Sequence, residues 1–173
     1  MNLFLIGYRG TGKTVTGRRV ANALGKEFVD TDNLIVELAG KSIPKIFEED
    51  GEVVFREWET KALVKASENE NQIISCGGGI ITQERNFEIL AKGVVCLLST
   101  TPELIYNRIY KDGNRPALTD KGPMAEIIHL LEVREPRYQC AKDFEVKCAS
   151  RNVSECTNEV IKKFKEFNVL KND

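Results

Sequence analysis

Four apolar residues, Leu3-Phe4-Leu5-Ile6, run straight into Gly7-Tyr8-Arg9-Gly10-Thr11-Gly12-Lys13-Thr14, and a helical pattern follows at once. No other feature constrains the chain as much. The segment fits G-x-x-x-x-G-K-[ST] in its strand–loop–helix context. Glycines let backbone N–H groups turn inward around a β-phosphate, and the helix N-terminus adds positive potential. Lys13 reaches the β- and γ-phosphates, and Thr14 offers a hydroxyl to Mg²⁺. Four constrained positions in that setting predict a bound nucleoside triphosphate rather than a purely structural glycine loop.

The remainder supplies the scaffold such a loop needs. Leu3–Ile6, Glu27–Val29, Gln72–Ser75, Gly93–Leu98 and Asp143–Val146 read as strands, most of them too continuously apolar to be half-exposed. Helical patterns cover Lys13–Leu24, Asp32–Ala39, Glu52–Ser67, Glu84–Leu90, Pro102–Ile109, Met124–Cys140 and Val153–Phe167. This alternation predicts a parallel sheet with helices on both faces. The 173 residues suit one domain, and no Pro-, Ser- or Gly-rich linker divides them.

Composition narrows the partners. Lys and Arg number 25 against 26 Asp and Glu, a net charge of −1, which argues against a dedicated nucleic-acid binder. The longest apolar runs are far too short for a membrane span. The sequence opens on a strand and glycine loop rather than a secretory signal, so a cytoplasmic protein is expected. Five cysteines form no C-x-x-C, and their odd number suggests reduced thiols. Cys140, Cys148 and Cys156 are spaced eight apart, unlike common zinc sites. No evident dimer stripe is present, which favours a monomer.

Other segments carry candidate chemistry. Asp30-Thr31-Asp32 closes the second strand, beside the crevice where α/β sheets hold ligands. There a carboxylate can orient an acceptor hydroxyl, take its proton, or support a metal; equally, Asp32 could simply cap a helix starting at Asn33. Arg56 and Glu59 are neighbours on one helix face and could form an ordinary surface pair. Trp58 reads as packing. Gly77-Gly78-Gly79 follows a strand where something must approach the backbone closely. No Asp or Glu ends that strand, and Ser75 holds the position, which leaves metal support to Thr14 and Asp30. Residues 110–123, with two Gly, two Pro and five charged residues, read as a long exposed loop, a lid or a disordered insertion. Arg115, Arg134 and Arg137 offer guanidinium groups suited to carboxylate or phosphate. His129 has no visible partner and reads as structural or surface.

In order and spacing these motifs resemble the shikimate kinase family over nearly the whole chain. The set comprises GYRGTGKT, D-T-D at 30–32, S-I-x-x-I-F at 42–47, D-G-E at 50–52, F-R-x-x-E at 55–59, G-G-G at 77–79, R-P at 115–116, and Arg134 with Tyr138 and Ala141. The resemblance implies an α/β fold, a P-loop three-layer α/β/α sandwich with a five-stranded parallel sheet, a substrate region near residues 32–60 and a mobile lid near 110–123. It implies ATP-dependent phosphorylation of the shikimate 3-hydroxyl, with Mg²⁺, on the route to chorismate and aromatic amino acids. A gluconate-kinase-like enzyme of the same fold is the nearest alternative.

Carried over position by position, the resemblance assigns ATP to Gly10, Thr11, Gly12, Lys13, Thr14 and Val15, with Arg115 over the phosphates and Arg108 and Arg151 beside the adenine. It assigns the metal to Thr14 and Asp30, and the shikimate contacts to Asp32, Arg56, Gly77, Gly78, Gly79 and Arg134. Lys13, Asp32 and Arg115 take the catalytic roles. Tyr8 and Arg9 are unusual fillers of the phosphate loop.

Overall fold

The computed structural model describes residues 1–110 and 122–170. Five strands form one sheet: β1 (Leu3–Ile6), β2 (Glu27–Asp30), β3 (Gln72–Ser75), β4 (Val94–Ser99) and β5 (Phe144–Lys147). Their order is β2-β3-β1-β4-β5, and every neighbouring pair is parallel. The helices are α1 (Lys13–Leu24), α2 (Thr31–Ala39), α3 (Ile43–Ala66), α4 (Arg85–Leu90), α5 (Pro102–Tyr110), α6 (Pro123–Ala141) and α7 (Val153–Leu170), with a 3₁₀ turn at Ile80–Thr82. The expected α/β/α architecture and five-stranded parallel sheet are therefore present.

The period of a strand explains the layers. Leu3 and Leu5 face one way, into a core with Val20 of α1 and Val160 and Phe164 of α7. Phe4 and Ile6 face the other way, into a core with Leu63 of α3, Leu90 of α4 and Tyr138 of α6. The three inner strands β1, β3 and β4 are almost wholly buried, which accounts for the unbroken apolar runs of β1 and β4 and the Ile73-Ile74 centre of β3. The edge strands β2 and β5 admit Glu27, Asp30, Glu145 and Lys147.

The region after β2 departs most from expectation. Helical structure starts at Ile43, not Glu52, capped by the Ser42 hydroxyl accepting from the Lys45 amide. The segment is two helical stretches broken at Gly51, whose φ of 82° and ψ of 176° are open to little but glycine. D-G-E thus marks a bend inside a helical hairpin rather than a helix start. Ile35, Ile46, Phe55 and Ala62 close a small separate core there, with Trp58 packed against it.

The cysteines also require a correction. Cys148 and Cys156 form a disulfide, where reduced thiols were expected, because the chain leaving β5 turns at once into α7 and brings their Cα atoms to 6.0 Å. Among the described residues Cys76 and Cys96 are free and buried, and Cys140 is free and exposed. No described helix is long and apolar enough to cross a membrane.

A methyl group at Gly51 would meet no atom within 4 Å, so a substitution there strains the backbone without a clash. Gly51→Ala should lower unfolding stability in urea by about 1–3 kcal/mol while leaving the helical signal of the folded state intact.

Candidate active site

In a parallel sheet all strands end at one edge, and the loops after β1, β2 and β3 meet there. They line one crevice with Arg9, Gly10, Gly12 through Val15, Asp30, Asp32 and Ser75 through Gly78. Gly7, Gly10 and Gly12 all hold positive φ, which winds the loop after β1 around its own centre. Thr11 donates its hydroxyl to the Tyr8 carbonyl at 2.8 Å and stiffens the turn. Lys13 opens α1 and is buried, with Nζ donating to the carbonyls of Gly7 and Tyr8 at 2.7 and 2.8 Å. Val15 stands half-exposed at the mouth of the crevice.

Pairing of Asp30 with Ser75 across β2 and β3 brings a second group to the loop. The Thr14 hydroxyl donates to Asp30 Oδ2 at 2.9 Å and lies 3.5 Å from the Ser75 hydroxyl. Asp30, not Asp32, caps α2: its Oδ1 accepts from the Asp32 amide at 3.0 Å. The capping alternative for Asp32 therefore falls, and its carboxylate stays on the crevice wall. Thr14, Asp30 and Ser75 offer only oxygen donors, and Mg²⁺ characteristically binds through few protein oxygens while keeping several waters. The donor set fits that ion.

Against the glycine turn lies an ionic cluster, buried at Arg56 and Glu59 and open to solvent at Glu52. Arg56 Nη1 donates to Glu59 Oε2 at 2.5 Å, and Nη2 to Glu52 Oε1 at 2.9 Å. This is no surface pair, since the Glu59 side chain is only 2% exposed. Burial pushes the Glu59 pKa up, against the pull of Arg56 and, more distantly, Arg134. For Arg56 burial works downward, but the Glu59 and Glu52 carboxylates prevail and its pKa is raised. The three glycines run directly over this cluster. A methyl at Gly77 would lie 2.8 Å from Glu59 Oε1 and 3.1 Å from Asp32 Oδ1, and one at Gly79 would collide with the Arg56 guanidinium. Asp32, Arg56 and Glu59 can thus gather here only because Gly77 and Gly79 carry no side chains.

Helix α6 reaches the glycine turn from the other side of the loop after β3 through one side chain. The Tyr138 hydroxyl donates to the Gly78 carbonyl at 2.6 Å, and burial raises its pKa well above the usual phenol range. Arg134, one turn earlier, lies 5.8 Å from the centre of the Tyr8 ring. Arg137 leaves this group: it bonds the Ile81 carbonyl at 2.6 Å and Glu84 at 2.7 Å. Arg108 donates to the Gly10 carbonyl at 3.0 Å and so sits against the phosphate loop. Arg151 is exposed beyond β5, 4.0 Å from Glu159. His129 is exposed. Arg115 and most of the 110–123 loop lie outside the described residues.

Sequence reasoning read Glu59 only as a surface-pair partner of Arg56 and assigned no site role to Glu52 or Tyr138. The available signal was F-R-x-x-E itself, in which a glutamate three residues from an arginine shares its face. What the spacing could not indicate was burial.

Because Asp30 holds the first turn of α2 as well as Thr14, Asp30→Ala should lower unfolding stability by about 0.5–2 kcal/mol in denaturant titrations.

Comparison with known proteins points to one family. The family model described as shikimate kinase matches residues 9–165. A shikimate kinase of Caldanaerobacter subterraneus subsp. tengcongensis is 41% identical over 164 residues, 94% of this chain and 95% of its relative. The solved structure of shikimate kinase from Acinetobacter baumannii in complex with shikimate superposes with a TM-score of 0.88 at 35% identity, covering 99% of this chain and 94% of that one. Shikimate kinase from Aquifex aeolicus gives 0.83 at 32% identity, over 98% and 99% of the two chains. A gluconokinase of Sinorhizobium meliloti, at 16% identity and 0.64, shares the fold alone. With the phosphate loop and the glycine turn lining one crevice, the Arg56 cluster packed against that turn, and these matches spanning nearly its full length, the chain belongs to the shikimate kinase family.

Proposed function

We propose that this protein transfers the γ-phosphoryl group of ATP to the 3-hydroxyl of shikimate, giving shikimate 3-phosphate and ADP on the route to chorismate. The observation that carries the reading is the approach of Asp32 and Arg56 to Gly77–Gly79, immediately beside the phosphate loop. The Acinetobacter baumannii relative binds the same acid in its structure.

The chemistry needs positioning and charge neutralisation more than covalent help. Arg56 and Arg134 hold the carboxylate of the small rigid acid, as bidentate guanidinium groups do well. Glu59 and Glu52 keep Arg56 in place before the acid arrives, so less side-chain freedom is lost on binding. Asp32 accepts a hydrogen bond from the acceptor hydroxyl, aims it at the phosphoryl group and receives its proton. Lys13 and the loop amides bind the polyphosphate. Thr14 and Asp30 would hold Mg²⁺, which when bound would supply neutralising charge to the transferring phosphoryl group. Arg115, assigned by resemblance alone, serves the same phosphoryl oxygens, and Arg108 and Arg151 the adenine. A cytoplasmic monomer is the simplest form consistent with this role.

A coupled ADP-release assay with shikimate, quinate, gluconate and AMP tests the assignment. Shikimate should stimulate ADP release far above the others; ADP release no greater than in buffer would overturn the reading. Arg56→Ala should weaken shikimate binding by about 2–5 kcal/mol, because a charged partner of its carboxylate is removed, with ATP affinity retained. Unchanged shikimate kinetics in that variant would refute the role of Arg56.

A further inference from the structure

The phosphate-loop motif places no demand on its second filler position, yet Arg9 occupies it with a side chain only 18% exposed. Its Nη2 donates to Glu126 Oε1 at 3.0 Å, joining residues 117 apart in sequence, and the Glu126 side chain is fully buried. The same Nη2 lies 3.4 Å from the Tyr110 hydroxyl at the end of α5. Burying an ion pair is costly enough that it contributes little net stability, and a role in fixing one arrangement is its better-attested use. Glu126 sits in the first turn of α6, the helix that carries Arg134 and Tyr138. At about 1.5 Å per residue those side chains lie roughly 12 and 18 Å further along the helix.

The far end of α6 is tied separately, through the Tyr138 hydroxyl to the Gly78 carbonyl. Gly78 in turn packs on the backbone of Arg9, whose amide nitrogen lies 3.3 Å from the position a methyl would take there. One loop residue therefore touches the glycine turn with its backbone and holds the start of α6 with its side chain.

We propose that Arg9 is a positioning residue, acting through Glu126: it fixes α6 to the phosphate loop and so sets where Arg134 stands relative to the phosphoryl group. The inference rests on the shikimate kinase reading above. The carboxylate-binding side and the nucleotide side of the crevice are thereby aligned by one buried ion pair, between the phosphate loop and the first turn of α6.

The test compares wild type with Glu126→Gln, Arg9→Met and the double variant. Shikimate KM and kcat come from steady-state assays, ATP affinity from equilibrium titration without shikimate, and folding from thermal melts. Glu126→Gln is close in shape and leaves no carboxylate buried without its partner, so it keeps the experiment readable if Arg9→Met folds poorly. Each single variant should lose about 10- to 100-fold in kcat/KM for shikimate, the scale of small misplacements remote from the chemistry, with ATP affinity nearly unchanged. The double variant should be no worse than the poorer single one. If Glu126→Gln behaves as wild type while Arg9→Met is impaired, Arg9 acts directly on a ligand and the proposal fails. It fails equally if the two losses multiply, or if only the melting temperature moves. A wild-type protein that does not turn over shikimate would instead defeat the underlying functional reading.

Discussion

Parallel pairing of β1 with β3 on one side and β4 on the other is the constraint from which the rest of the molecule follows. It sends the phosphate loop, the Asp30–Asp32 segment and the glycine turn out of the same edge of the sheet. It also buries the inner strands on both faces, so none of them can carry a charged group before its last residue. Polar chemistry is thereby confined to strand ends, and the register that pairs Asp30 with Ser75 beside Thr14 is a packing outcome before it is a functional one.

The ionic cluster beside the glycine turn is assembled by a different rule. Its inner groups, Arg56 and Glu59, are buried, and each is tolerable only because the other answers it. Glu59 is almost inaccessible to water and is held against Arg56, which Glu52 engages from the other side. The glycine turn permits this density, since side chains there would occupy the volume the carboxylates and guanidinium need. The helical hairpin that supplies the cluster has its own small core around Ile46 and Phe55.

Much of this was legible in the sequence, for identifiable reasons. Strands β1 and β4 showed because uninterrupted apolar runs of four or five residues have few other uses in an α/β chain. The phosphate loop showed because its chemistry needs fixed residue types at fixed intervals. The stretch from Ile43 to Asp50 did not read as helix, because Pro44 and Gly51 bracket it and both are ordinarily breakers. Here Pro44 stands in the first turn, where it lacks no hydrogen bond, and Gly51 absorbs the bend. The Cys148–Cys156 link and the burial of Glu59 were not legible, because both depend on which elements tertiary packing brings together. The Asp30–Asp32 ambiguity was a real one. Asp32 could have capped a helix starting at Asn33 or faced a ligand, and the helix start at Thr31 decided against the cap.

The bonds of Lys13 have a consequence for the nucleotide. Its ammonium donates to two backbone carbonyls of its own loop at 2.7 and 2.8 Å, in a position largely withdrawn from water. A phosphate that recruits this charge must draw it away from those acceptors, so the loop behaves as an internal competitor for its own lysine. Affinity at this point is a difference between two good solvation shells, not the full strength of an ammonium meeting a polyanion. Weak anions that lack the charge of a triphosphate gain little from the exchange, and discrimination among phosphate compounds is thereby written into the backbone.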